Sequence, residues 1–250
     1  GEELRVGGVP IDVVYRHVFA YRLTPGSDFE RACRESRRYR VFNPVAAHLE
    51  VKGLLAETSR IADSGELGRA AGLSDPEVEA VRRRVPWTRL VLAEDSADLR
   101  TVLERSRESL VVKTSSGYGG HGVVMGATFD EEATQRRVAA KVGDKNGASW
   151  GAFCTYAASG AAGLWVAQER IPGRRVDHRH LARDGAVVAS TSYVDCSLFG
   201  GLFEPAHVPG GASRFSADPI VNIGRGGGLV PLLMGSEAAR LGMQVAKAHE

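Results

Sequence analysis

Leu110-Val-Val-Lys113-Thr-Ser-Ser-Gly117-Tyr-Gly119-Gly120-His-Gly122-Val123-Val124 is the stretch on which the fold turns. It contains the spacing G-x-G-x-x-G at Gly117, Gly119 and Gly122, the pattern of a dinucleotide-binding turn. That turn must lead from a strand into a helix. Here Val123 and Val124 follow, and β-branched residues favour a second strand. No Gly-Lys-Ser/Thr closes the loop, so it is not a P-loop either. The reading is a strand, a glycine loop over 114–122 and a second strand, with Lys113 on the first strand. Such a hairpin can fold backbone N–H groups over phosphates while the lysine supplies a point charge. It can equally be a flexible hairpin with a surface lysine.

The surrounding chain sets the class. It has 250 residues, 43% hydrophobic and 25% charged, enough for a sizeable core. A net charge of +2 gives no electrostatic case for nucleic acid or a membrane surface. No run reaches the roughly 18 apolar residues of a membrane span, and no signal peptide is visible. Cys33, Cys154 and Cys196 share no metal or redox spacing, which points to a reducing, cytoplasmic setting. Only five of the 32 basic residues are lysine (Lys52, Lys113, Lys141, Lys145 and Lys247), so a lysine beside a loop draws attention.

Periodicity predicts strands over 11–15, 40–43, 87–92, 110–113, 123–125, 164–170, 177–182, 186–194 and 220–222. It predicts helices over 28–38, 46–62, 75–84, 96–107 (N-capped by Ser96), 129–142 and 236–250. Residues 143–162 read as a small-residue, mobile connection, and Asp184-Gly185 as a hairpin turn. Strand pairs joined by hairpins, with helices between them, imply an α+β fold. The apolar strand at 11–15 calls for partners upstream of the chain's first residues.

Further elements carry candidate chemistry. Leu164–Gly173 is an apolar strand running into Gln168-Glu169-Arg170-Ile171 and a Pro-Gly turn, either a hinge facing a nucleobase or an ordinary strand end. Asp177 and Arg179 share one strand face, as a site pair or a surface ion pair. Asn222 precedes a second glycine loop at 224–228, as an oxygen ligand for Mg²⁺ or a turn former.

Taken in order, these elements resemble the ATP-grasp superfamily. In detail they look like the circularly permuted branch of bacterial proteins related to glutathionylspermidine synthase. The residues carrying the resemblance are Val13–Arg16, Asn43-Pro44, the Lys52 helix, Val85-Pro-Trp-Thr-Arg89, Val112-Lys113 with Gly117–Val124, and Val166–Arg170. Asp195, Ser213-Arg214 and Asn222 with Gly226–Gly228 and Pro231 complete them.

The resemblance implies a two-lobed fold of antiparallel sheets with the 114–122 hairpin as a lid. Residues 1–86 would form an amino-terminal segment with a strand from a truncated substrate domain, 87–168 the lid lobe and 169–250 the metal-binding lobe. It implies that Lys52 and Lys113 contact ATP phosphates beneath Gly117, Gly119, Gly120 and Gly122. Gln168, Glu169 and Ile171 would form the adenine hinge, Asp195 and Asn222 would bind Mg²⁺, and Arg214 and Arg179 would serve the transferred phosphate. The implied activity is carboxylate–amine ligation through an acyl phosphate, with small-molecule or peptide substrates. A non-catalytic ATP-binding module and an ATP-grasp kinase are the rivals. Ile220 stands where many ATP-grasp enzymes place a metal-binding acid, leaving Glu204 and Asp218 as candidate replacements.

Overall fold

In a computed structural model of the chain, the described residues are 4–35, 38–46, 49–94, 97–143, 148–182, 184–199, 210–230 and 232. They form an α+β protein with seven α-helices and several small, mainly antiparallel sheets. The chain divides into two compact units, residues 1–170 and 171–250. Among the described residues no helix is long and apolar enough to cross a membrane.

The first unit opens with a short hairpin of β1 (Arg5–Val6) and β2 (Val9–Pro10). Then β3 (Val13–Tyr15) runs parallel to β4 (Arg40–Phe42), with α1 (Asp28–Arg34) in the connection. The strand expected at 11–15 therefore finds a partner inside the chain. Between these elements lies Arg16, 6% exposed, whose guanidinium donates to Asn43 O at 2.7 Å and Pro44 O at 3.1 Å and is ion-paired with Glu50. The other Glu50 oxygen accepts the Ala20 N–H at 2.7 Å. One buried pair thus ties three loop segments together.

Next come α2 (Gly53–Asp63), α3 (Gly65–Ala70) and α4 (Asp75–Arg84). The α2 helix starts later than expected, with Lys52 as its N-cap residue. The α3 helix was not expected. It is six residues long, capped by Ser64, and its two glycines hide it from propensity. The α4 helix has the bounds that its Asp-Pro-Glu start predicts, with the Glu77 carboxylate accepting the Ser74 N–H at 2.8 Å.

The main sheet follows: β5 (Thr88–Val91), α5 (Ala97–Arg105), β6 (Leu110–Thr114), β7 (Val123–Met125), α6 (Glu132–Val142), α7 (Trp150–Ala158) and β8 (Trp165–Glu169). Its order is β5-β8-β6-β7, antiparallel throughout. Strand alternation gives it two faces. Val91, Leu110, Val112, Val124, Trp165 and Ala167 join a core with Leu103, Phe129, Val138, Trp150, Phe153 and Ala157 from the helical layer. The other face carries Thr88, Leu90, Val111, Lys113, Val166 and Gln168, and α2 packs on its β5 side.

The α7 helix corrects the expected connection over 143–162. Trp150, Phe153 and Ala157 recur at helical spacing and are buried, an apolar stripe disguised by the small residues around it.

The second unit is one sheet of order β12-β11-β10-β9. Its strands are β9 (Arg175–Leu181), β10 (Val187–Phe199), β11 (Gly210–Ser216) and β12 (Gly228–Val230). Asp184-Gly185 does turn the β9–β10 hairpin, with Gly185 at φ 84°. The strand expected at 220–222 is absent. Asp218 Oδ1 accepts the Ile220 N–H at 2.7 Å and bends the chain there, and the pairing strand is β12 instead. Ser96, Glu204, Pro231 and the closing helix at 236–250 lie outside the described residues.

Burial works to raise the Glu50 carboxyl, but the Ala20 N–H and the Arg16 guanidinium outweigh it and hold the group below the usual carboxylate range. A depressed folded-state pKa gives stability that is present above the unfolded value and lost as pH falls through the folded one. Glu50→Ala leaves Arg16 buried without its partner and should cost about 3 kcal/mol. Urea unfolding should show this loss at pH 7, and a smaller difference from wild type below about pH 4.

Candidate functional site

The site in the first unit is built on the sheet face opposite the core. Lys113 stands on β6, and cross-strand register places it opposite Val166, one same-face position from Gln168. Its ammonium donates to Gln168 Oε1 at 2.5 Å. The Gln168 amide donates in turn to Thr88 Oγ1 at 2.8 Å, and the Thr88 hydroxyl donates to Pro86 O at 2.8 Å. Gln168 is therefore a buried member of the sheet, 8% exposed, and not a side chain displayed at a strand end.

Lys52 reaches the same region from the start of α2. Its ammonium donates to Gly117 O at 2.5 Å and Ser115 O at 3.4 Å, and its backbone N–H donates to Ser115 O at 2.9 Å. The buried Ser115 hydroxyl accepts the Gly53 N–H at 3.0 Å. One end of the glycine loop is thus fastened to the first turn of α2.

The loop's shape explains its glycines. A Cβ on Gly117 would lie 2.0 Å from Thr114 Oγ1, and one on Gly122, at φ 73°, would lie 2.7 Å from the same atom. Its tip carries Tyr118, which packs against Phe19 with ring centroids 5.8 Å apart and lies under the Arg22 guanidinium at 5.2 Å. Gly119 and Gly120 complete the turn between Tyr118 and His121.

The electrostatics of the pair are one-sided. Burial lowers the pKa of Lys113, and the charge of Lys52 lowers it further. Burial also lowers that of Lys52. Among the described residues no carboxylate contributes to either group, and neither lysine is in a salt bridge. Two desolvated cations side by side without a counter-charge form a cradle for an anion.

Of the expected hinge, Glu169 and Arg170 have their N–H groups engaged by Trp87 O and Ser109 O, both at 2.8 Å. Ile171 begins the second unit and is exposed.

In the second unit, register pairs Asp195 with Arg214 across β10 and β11. Arg214 holds both carboxylate oxygens: its N–H and Nε donate to Oδ1 at 3.1 and 3.2 Å, and a terminal nitrogen is ion-paired with Oδ2. The Asp195 contact raises the Arg214 pKa above its ordinary value. Arg179 lies on the same sheet face, four residues along β9 from Arg175. Arg175 stacks over Tyr193 at 5.7 Å, nearer the Asp195 end of β10. Sequence reasoning passed over Arg175, although the alternation that pairs 177 with 179 includes it.

Asn222 is half-buried, extended, and accepts the Gly227 N–H through its backbone oxygen at 3.1 Å. Among the described residues no three of His, Cys, Asp and Glu come together. Asp218 is turned into its own bend, and Asp195 is taken up by Arg214. This donor set does not fit a resident Mg²⁺, which needs oxygen ligands free to complete an octahedron. Compared with protein-family models and with curated proteins, the chain matches none.

The Lys113 charge is penalised in the folded state, so its folded pKa lies below the unfolded one. Between the two, the unfolded chain binds the extra proton, and stability rises with pH. Denaturant melts on the alkaline side, up to the ordinary lysine value of 10.5, should show that rise, and Lys113→Met should reduce it.

Proposed function

We propose that the first unit binds ATP through its phosphates, in an ATP-grasp arrangement, and that the chain serves carboxylate–amine ligation. The observation carrying this reading is the Lys52–Lys113 pair, half-buried beneath a glycine hairpin and without a carboxylate partner among the described residues. A polyphosphate supplies the missing negative charge. The lysines offer donors that their present carbonyl and amide partners do not exhaust, since an ammonium has three. Phosphoryl transfer asks the protein mainly for positioning and charge neutralisation, which this set of residues can provide.

In the proposed reaction a substrate carboxylate attacks the γ-phosphate and gives an acyl phosphate and ADP. An amine then displaces phosphate and forms the amide. Arg214, Arg179 and Arg175 are the second unit's candidates for stabilising the transferred group. Any magnesium would be held by the nucleotide's own phosphates, as their counter-ion.

A second reading, a nucleotide-binding module without turnover, is favoured by one observation. Of the acids proposed for metal binding that lie among the described residues, Asp195 has both oxygens engaged by Arg214 and Asp218 accepts the Ile220 N–H in its own bend, while Ile220 offers no ligand.

Titration with a fluorescent ATP analogue tests the binding. Lys113→Ala should weaken affinity about tenfold or more, as expected for loss of a charge-assisted contact. Lys141→Ala should leave it unchanged, because Lys141 is exposed in the last turn of α6 and serves its helix end. Equal losses would sink the assignment. Amine-dependent phosphate release across a panel of carboxylates separates ligase from module.

A further inference from the structure

We propose that Thr88 is a positioning residue for Lys113, acting through the side-chain amide of Gln168. The chain of donors runs one way. Thr88 gives its only hydroxyl proton to Pro86 O at 2.8 Å, so its oxygen can only accept from Gln168. The Gln168 NH₂ is thereby directed to Thr88, and the carbonyl end is left facing Lys113, which donates to it at 2.5 Å. Were the Thr88 hydroxyl absent, the Gln168 NH₂ would lose its acceptor and only the Lys113 contact would orient the amide. A flip would turn two N–H groups towards an ammonium that has no counter-charge. Thr88 is fully buried on β5, two strands away from Lys113, so it touches no ligand itself.

The arrangement does two things at once. It gives the desolvated ammonium one neutral acceptor, which favours the charged form. It also leaves the formal charge unneutralised, available to an incoming anion. A carboxylate at 168 would hold the lysine as firmly but cancel the attraction.

The affinity arm of the test rests on reading Lys113 as a phosphate contact. The titration arm does not. The Lys113 ammonium is followed by NMR on the lysine-labelled chain across alkaline pH, and an ATP analogue is titrated in parallel. Thr88→Val should lower the Lys113 midpoint and weaken analogue binding about tenfold. Thr88→Ser, which keeps the hydroxyl, should restore both. Gln168→Glu should raise the midpoint, the opposite direction, while also weakening the analogue. A Thr88→Val protein whose melting temperature falls while the Lys113 midpoint stays put would show a merely structural threonine and overturn the proposal. If Thr88→Val does not fold, an unmoved midpoint in Gln168→Glu overturns it equally. A midpoint that shifts as expected in a chain that binds no analogue would uphold the positioning role and sink the ATP reading.

Discussion

The first unit depends on β8. Residues Trp165 to Gln168 are all buried, and the strand pairs on both sides, with β5 and β6. A central strand must satisfy two faces at once. Trp165 and Ala167 fill the helical core, while Val166 and Gln168 face the lysine side. A one-residue slip would exchange those sets, placing a glutamine amide in the aromatic core and Trp165 beneath the cradle. The aromatic cluster opposes such a slip: Phe153 meets Trp165 edge-on at 5.5 Å, and Phe129 meets Trp150 edge-on at 5.2 Å. Core packing therefore fixes the register, and the register aligns Thr88, Gln168 and Lys113.

The same packing explains how two uncompensated lysines are tolerated. An ammonium taken from water is costly unless its protons find acceptors. Here the acceptors are neutral, namely loop carbonyls for Lys52 and an amide oxygen for Lys113. Neutral acceptors satisfy hydrogen bonds without removing charge. The fastening is also local. Lys52 gathers the carbonyls of Ser115 and Gly117 at one end of the loop, while the exposed tip rests on Phe19 and Arg22. An anion that draws Lys52 away from those carbonyls would loosen the loop at its base, so ligand binding and loop position share one ammonium.

Much of this was legible in the sequence, and what was missed has physical causes. The 110–125 hairpin could be read because β-branched residues after Gly122 exclude a helix. The α4 helix could be read because its start signals are local chemistry. The α7 helix could not: small residues dilute a three-residue stripe whose partners, Phe129 and Trp165, come from elsewhere in the chain. β11 escaped because Gly-Gly-Ala-Ser has little strand propensity, and pairing along β10 overrides it. In the site, Lys113 and Lys52 stood out as rare lysines beside a loop or glycine. Nothing local showed that Gln168 turns inward to meet Lys113, because that follows from cross-strand register.

The two halves of the candidate chemistry differ in kind. In the first unit positive charge is held by neutral partners and stays available. In the second, Arg214 and Asp195 neutralise each other across adjacent strands, and the Asp195 carboxylate also accepts the Arg214 backbone N–H. A bidentate arginine–carboxylate pair resists exchange, because separating it costs two aligned contacts together. Using Asp195 as a metal ligand or Arg214 as a phosphate ligand requires that separation, and either use releases the opposite charge next to the new ligand.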